Sequence, residues 1–158
     1  MELRYLTPLT AEEQIAHGLS APQPLAIADR VRFSELDKQN HVNNKAYMDW
    51  FERARVEHMF TVWRPLFADL PRPRVAVHSA TIRYLKEMLE NESYIVTSRA
   101  ESFRQSSIVL EQQIWSGDLR ATLKVIAVLQ MPDSHDRYVL PEGLRDYLVK
   151  VEGARPDA

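Results

Sequence analysis

Cysteine is absent from this 158-residue chain, which excludes disulfides, thiolate metal sites and a cysteine nucleophile. Long apolar runs are missing too, and none approaches the ~20 residues needed to span a bilayer. No charge of one sign dominates: 20 Lys and Arg stand against 22 Asp and Glu, so neither nucleic acid nor a membrane is expected as partner. The opening MELRYLTPLTAEEQ lacks the basic start and apolar block of a secretory leader, and a cytoplasmic location is expected. The five histidines are scattered without ligand-like spacing, so no metal site is expected.

What is present fits one soluble domain, long enough to bury a sizeable core and 45% hydrophobic. Residues 1–25 read as an N-terminal extension. Thr10 and Glu13 have the spacing of a capping box over a short helix from Ala11 to His17, stopped at Gly18. Pro22 and Pro24 then keep the chain extended. The domain is expected over 26–152, followed by a flexible polar tail at 153–158.

From Ile27 to Phe33 the residues alternate, with Ile27, Val31 and Phe33 on one face and Arg30 and Arg32 on the other. A polar loop, Ser34 to Asn40, interrupts the pattern. Asn43 or Asn44 caps a helix expected over Lys45 to Trp63, which has no Gly or Pro and sets Tyr47, Phe51, Ala54 and His58 at helical spacing. Trp50, Met59, Phe60 and Val62 widen its apolar surface, so it is expected to be buried on most sides. Four strand-like runs follow with no helix between them: Val75 to Leu85, Tyr94 to Phe103, Ser107 to Trp115 and Arg120 to Met131. In the last, Ala121, Leu123, Val125, Ala127 and Leu129 share a face. Pro141 stands at the first position expected for a short helix, Glu142 to Val151. The order predicts an α+β domain: a curled antiparallel sheet of about five strands around one long central helix. Its open sheet edges make self-association expected.

The chemistry concentrates in VRFSELDKQNHVNNKAYMDWFERARVE, Val31 to Glu57. Two carboxylates, Glu35 and Asp37, lie in the loop; His41 follows, and Asn43-Asn44 opens the helix. A helix N-terminus offers unpaired N–H groups to a carbonyl oxygen gaining negative charge. A carboxylate just upstream can attack that carbonyl or deprotonate a water. Taken alone the same residues also serve as turn formers and caps.

The segment resembles the signature of hotdog-fold thioesterases of the 4-hydroxybenzoyl-CoA thioesterase type, F-x-D-x-D-x-x-G-H-V-N-N-x-x-Y-x-x-x-F-E-x-A-R. Phe33, Glu35, Asp37, His41, Val42, Asn43, Asn44, Tyr47, Phe51, Glu52, Ala54 and Arg55 stand at matching places. Leu36 to Asn44 is also similar to the L-D-x-N-Q-H-V-N-N of plant acyl-carrier-protein thioesterases. The resemblance implies hydrolysis of an acyl-CoA to free acid and CoA, with CoA as part of the substrate and no separate cofactor. It implies that Asp37 is the catalytic aspartate and that the backbone N–H of Asn44 polarises the thioester carbonyl. It also implies a dimer, or dimers paired into a tetramer, with the site between subunits.

His41 is assigned either to orienting Asp37 or contacting the acyl group, or to a loop-fixing hydrogen bond. Tyr47 is a core residue or lines the acyl pocket. Arg104, in the turn between the third and fourth strands, matches a nucleotide contact of related enzymes, and Arg83 and Lys86 are further candidates for the CoA phosphates. Glu52 and Arg55 are expected as an ion pair or a subunit contact. Two departures from the pattern stand out. Glu35 replaces an aspartate that is usually not catalytic, and Asn40 replaces a glycine, which positive φ tolerates. Trp50, Trp63 and Trp115 suggest a cage for a quaternary ammonium acyl group such as betainyl, against the simpler role of packing.

Hydratases and dehydratases of the same fold carry H-x-x-x-x-P-G or D-x-N-P-x-H, and the sequence has neither. An acyl-carrier-protein thioesterase and a non-catalytic acyl-thioester binding protein remain as alternatives.

Overall fold

The alternating runs become strands in the order expected. The computed structural model describes residues 1–157, with β1 (Leu25–Arg30), β2 (Arg74–Tyr84), β3 (Ser93–Phe103), β4 (Ser107–Ser116) and β5 (Asp118–Gln130). They pair antiparallel in the order β1-β3-β4-β5-β2. Gly117, at φ +75°, makes the tight reversal between β4 and β5, where Ser116 faces Asp118. Ala121, Leu123, Val125, Ala127 and Leu129 point inward together with Ile108, Leu110 and Ile114, and meet Tyr47, Trp50, Phe51 and Ala54 of the helix α2 (Asn44–Glu57) in one core. Each such large side chain contributes roughly 1.5–3 kcal/mol by leaving water.

The helix is shorter than its apolar pattern. Regular α-helix ends at Glu57, and a π turn, His58–Val62, and a 3-10 turn, Arg64–Phe67, complete the run. The widened turn carries His58, whose ring bonds to Ser98 on one side and Glu152 on the other. A tertiary polar contact thus reshapes a segment whose sequence reads as uninterrupted helix.

Four expectations need correction. The first strand runs from Leu25 to Arg30, and the chain then turns into a 3-10 segment, Phe33–Glu35; Phe33 is 81% exposed and not in the core. Residues 1–25 are less separate than expected. Leu6 and Leu9 donate backbone N–H groups to Ala28 and Ala26, and Leu9 and Leu19 pack on Ala26, Ala28 and Ile95. The extension therefore covers the outer face of β1, which is why β1 is buried on both faces and does not alternate. The tail is not frayed at its start: β6 (Arg155–Pro156) pairs parallel with Ser102–Phe103 of β3, making six strands rather than five. Ala158 lies outside the described residues. Lastly, Pro141 is the N-cap of α3 (Glu142–Lys150), one place before the position expected.

Within the extension, α1 (Ala11–Ala16) has the expected capping box between Thr10 and Glu13. Arg4 binds the Glu13 carboxylate from outside at 2.7 Å, and this, with the Thr10 backbone bond, holds Glu13 down at about 2. A lowered carboxyl pKa stabilises the fold above its ordinary value of 4.5, and the contribution is lost as pH falls from there toward 2. Amide exchange at Leu6 and Leu9 is expected to accelerate in that window. In Glu13→Gln the rates should lose this pH dependence beyond that of intrinsic exchange.

With β1 covered, β2 is the open edge: eleven residues exposed along most of their length. Among the described residues, no helix is long and apolar enough to cross a membrane.

Candidate active site

The loop between β1 and α2 is built by short-range polar bonds. Asp37 Oδ1 accepts the backbone N–H groups of Gln39 (2.8 Å) and His41 (3.1 Å), an Asx-type turn. The Asp37 N–H donates to the His41 carbonyl at 2.7 Å, and the Asn40 N–H to the Asp37 carbonyl. Asn40 takes φ +62°, the conformation for which the family pattern uses glycine. Asp37 itself is exposed, and none of the described donors is bonded to its Oδ2. One carboxylate oxygen is thus fixed by two N–H groups, while the other accepts none of the described donors.

The loop is stapled to the helix that follows. The Asn43 N–H donates to the Glu35 carbonyl at 2.7 Å. The Glu35 carboxylate accepts the indole N–H of Trp50 at 2.7 Å and the Arg32 N–H at 2.8 Å. Asn43 is the N-cap: its side chain accepts the Lys45 N–H, and its carbonyl the Ala46 N–H. The Asn44 N–H, first of the helix, is left without a partner among the described residues, which is what an oxyanion donor requires. Asp37 and this N–H are thus held by one polar staple.

The structure separates the other sequence-predicted residues into groups. His41 stays at the site: its Nε2 lies 3.0 Å from the Glu87 carboxylate, and its backbone pairs with Leu89. Both readings of His41 survive, since its N–H fixes Asp37 while its ring is held at the surface. Tyr47 is 4% exposed, edge-on to Tyr84 and tilted against Trp50, and burial above all raises its phenol. Lys86 is near the site but paired with Asp118 at 2.8 Å, while Arg83 is exposed on β2.

Arg104 is not near Asp37 in the same chain. It sits at the far end of β3, eleven residues from the end that supports the Asp37 loop, about 36 Å at strand spacing. There it lines an open groove of about 800 Å³ with His78, Arg137 and Arg145. Arg55 donates to Gln112 at 3.1 Å rather than to Glu52. The three tryptophans are also apart, so they form no cage. Trp50 is stacked on Tyr94 in the core, Trp63 is bonded to Glu152, and Trp115 is bonded to Gln113.

Sequence reasoning missed Glu87, Arg137 and Arg145, which carry no motif and come close to known candidates only through folding. It also missed what Glu35 does, because its partner Trp50 looks like plain core.

Comparison with known proteins gives a consistent result. The family pattern described as thioesterase-like superfamily matches residues 31–148. A thioesterase-superfamily protein from Jannaschia sp. CCS1 is similar in structure at 35% identity and TM-score 0.87, over 99% of this chain and 100% of that one. A thioesterase from Thermus thermophilus, solved with coenzyme A and zinc, shares 23% identity at TM-score 0.67, over 83% of this chain and 96% of that one. A probable thioesterase from Escherichia coli shares 22% identity at TM-score 0.68, over 80% and 98%. No curated protein matches the sequence.

Proposed function

Because the chain belongs to the thioesterase-like superfamily, we propose that it hydrolyses an acyl-CoA thioester in the manner of the 4-hydroxybenzoyl-CoA thioesterase type. The observation that carries the reading is the free Oδ2 of Asp37 on a loop stapled to the unpartnered Asn44 N–H. The acyl carbonyl oxygen accepts that N–H, which stabilises the negative charge of the tetrahedral intermediate. As nucleophile, Oδ2 forms a C–O bond, the C–S bond breaks, CoA leaves as thiolate and takes a proton, and water hydrolyses the resulting anhydride. As general base, Asp37 instead takes a proton from the water that attacks the same carbon; the tetrahedral intermediate then collapses, the C–S bond breaks, and CoA leaves as thiolate and takes up that proton. Nothing in either route calls for a cofactor beyond the CoA of the substrate.

The carrier arm requires a second copy. The basic groove of Arg104, Arg137 and Arg145 suits phosphates, yet in one chain it lies a strand length from Asp37. The open edge β2 runs from the end of the sheet that holds the groove to the end beside segment 85–92. Antiparallel pairing of two such edges brings the groove of one protomer toward Asp37 of the other. The coenzyme A bound to the Thermus thermophilus relative supports CoA as carrier.

The test is thiol release from straight-chain, aromatic and betainyl CoA thioesters, run beside acyl-carrier-protein thioesters, with Arg104→Ala as second enzyme. Turnover of a CoA substrate, with KM raised about tenfold in Arg104→Ala by loss of a charged hydrogen bond, is the expected result. Turnover of the carrier-protein thioester alone would move the substrate class. Binding without any turnover would leave an acyl-thioester binding protein. A monomer at micromolar concentration that still turns over would overturn the shared site.

A further inference from the structure

Among the described residues, Arg120 is the one buried arginine, at 8% exposure, and its bonds converge on the segment beneath the reactive loop. Its Nη1 donates to the Glu87 carbonyl (2.8 Å), the Met88 sulfur (3.4 Å) and the Glu92 carboxylate (3.1 Å). Its Nη2 donates to the other Glu92 oxygen (2.9 Å) and the Ser116 carbonyl (2.9 Å), and its Nε to Asp118 (2.6 Å). Its own carbonyl accepts the N–H groups of Leu85 and Lys86. Segment 85–92, the connection from β2 to β3, is therefore tied to one β5 residue at its start, middle and end.

That segment in turn carries the Asp37 loop. The Met88 carbonyl accepts the Val42 N–H at 3.0 Å, and the Glu87 carboxylate lies 3.0 Å from His41 Nε2. His41 then reaches Asp37 twice, through its N–H to Oδ1 and through its carbonyl. A guanidinium whose Nε, Nη1 and Nη2 all donate is a rigid anchor, because its planar fork fixes direction as well as distance. A lysine there keeps the charge and loses the fork.

We propose that Arg120 is a positioning residue for the hydrolysis, holding segment 85–92 as the template that sets the Asp37 loop against the Asn44 N–H. The inference rests on Asp37 being the reacting group. Displacement of a reacting atom by about 1 Å costs up to ~10²-fold in rate, so the effect should appear in kcat. The groove proposed for the CoA phosphates is lined by Arg104, Arg137 and Arg145, none of which Arg120 touches, so KM should hardly change.

The experiment uses Arg120→Lys and, where that variant fails to fold, Glu92→Gln, each at a temperature well below its melting point. Two readouts are taken: steady-state kinetics per folded enzyme, and peptide-level hydrogen exchange. The expected result is kcat down at least about tenfold with KM within about twofold, and faster exchange over 36–43 with β3 unchanged. Unchanged exchange over 36–43, or unchanged kcat per folded enzyme, would overturn it. So would acceleration over 36–43 matched by β3, which marks plain loss of stability. A wild type that turns over no thioester would defeat the proposed function, while the exchange readout still decides whether Arg120 holds the loop.

Discussion

Asp37→Asn is expected to lower kcat by ~10²-fold or more while leaving the fold and CoA binding intact. The substitution suits the question because of how the aspartate is held. The two N–H groups of Gln39 and His41 both fall on Oδ1, and an asparagine oxygen accepts them equally well. The side chain is exposed, so the change should shift stability by no more than about 0.5 kcal/mol. What the amide cannot do is attack a carbonyl or take a proton with the second atom, which becomes a nitrogen donor. Loss of thiol release with an unchanged melting temperature therefore isolates chemistry from architecture. Glu35 is no substitute: both of its oxygens are already engaged, by Trp50 and by the Arg32 N–H. An Asp37→Asn enzyme that kept its rate would leave the free carboxylate without a role and remove the proposed mechanism with it.

The legibility of the site follows the range of its interactions. The Asp37 turn, the positive φ at Asn40 and the Asn43 cap are made by residues within a few positions of one another, and such bonds write themselves into short motifs. The inward face of β5 was equally plain, since burial on one side of a strand leaves a period of two. What escaped are partnerships closed over long loops. Glu87 meets His41, Arg104 joins Arg137 and Arg145, and β6 finds β3, all without any local period. β1 shows the opposite failure. Its outer face is covered by the extension, so both faces are apolar, and an alternation read from Ile27 to Phe33 ran past the true end of the strand. The tryptophans looked available for a ligand only because sequence does not show that Trp50 and Trp63 each donate their N–H to a buried or half-buried carboxylate.

Glu152→Ala should cost about 3–5 kcal/mol of stability, since each buried donor left without an acceptor costs roughly 1–3 kcal/mol. In a domain of this size that lowers the melting temperature by roughly 6–20 °C. The Glu152 side chain has no exposed surface, and every bond it makes draws the C-terminal segment into the core. Its Oε1 accepts the Ala100 N–H at 2.8 Å, and its Oε2 accepts the Trp63 indole N–H at 2.7 Å and meets His58 Nε2 at 2.9 Å. On the other side of the ring, His58 Nδ1 lies 2.8 Å from the Ser98 hydroxyl. One carboxylate thus joins β3, the π turn and the tail. Alanine would strand three buried donors at once, and glutamine would restore only part of the set, because its amide nitrogen turns a donor toward a donor. Asp37 is at the opposite end of β3, so activity measured well below the melting point should stay near wild type. A chain ending at Val151 should lose at least as much stability as Glu152→Ala, and the difference between them measures what β6 adds. A melting temperature within about 3 °C of wild type for Glu152→Ala would mean that apolar packing alone holds the tail.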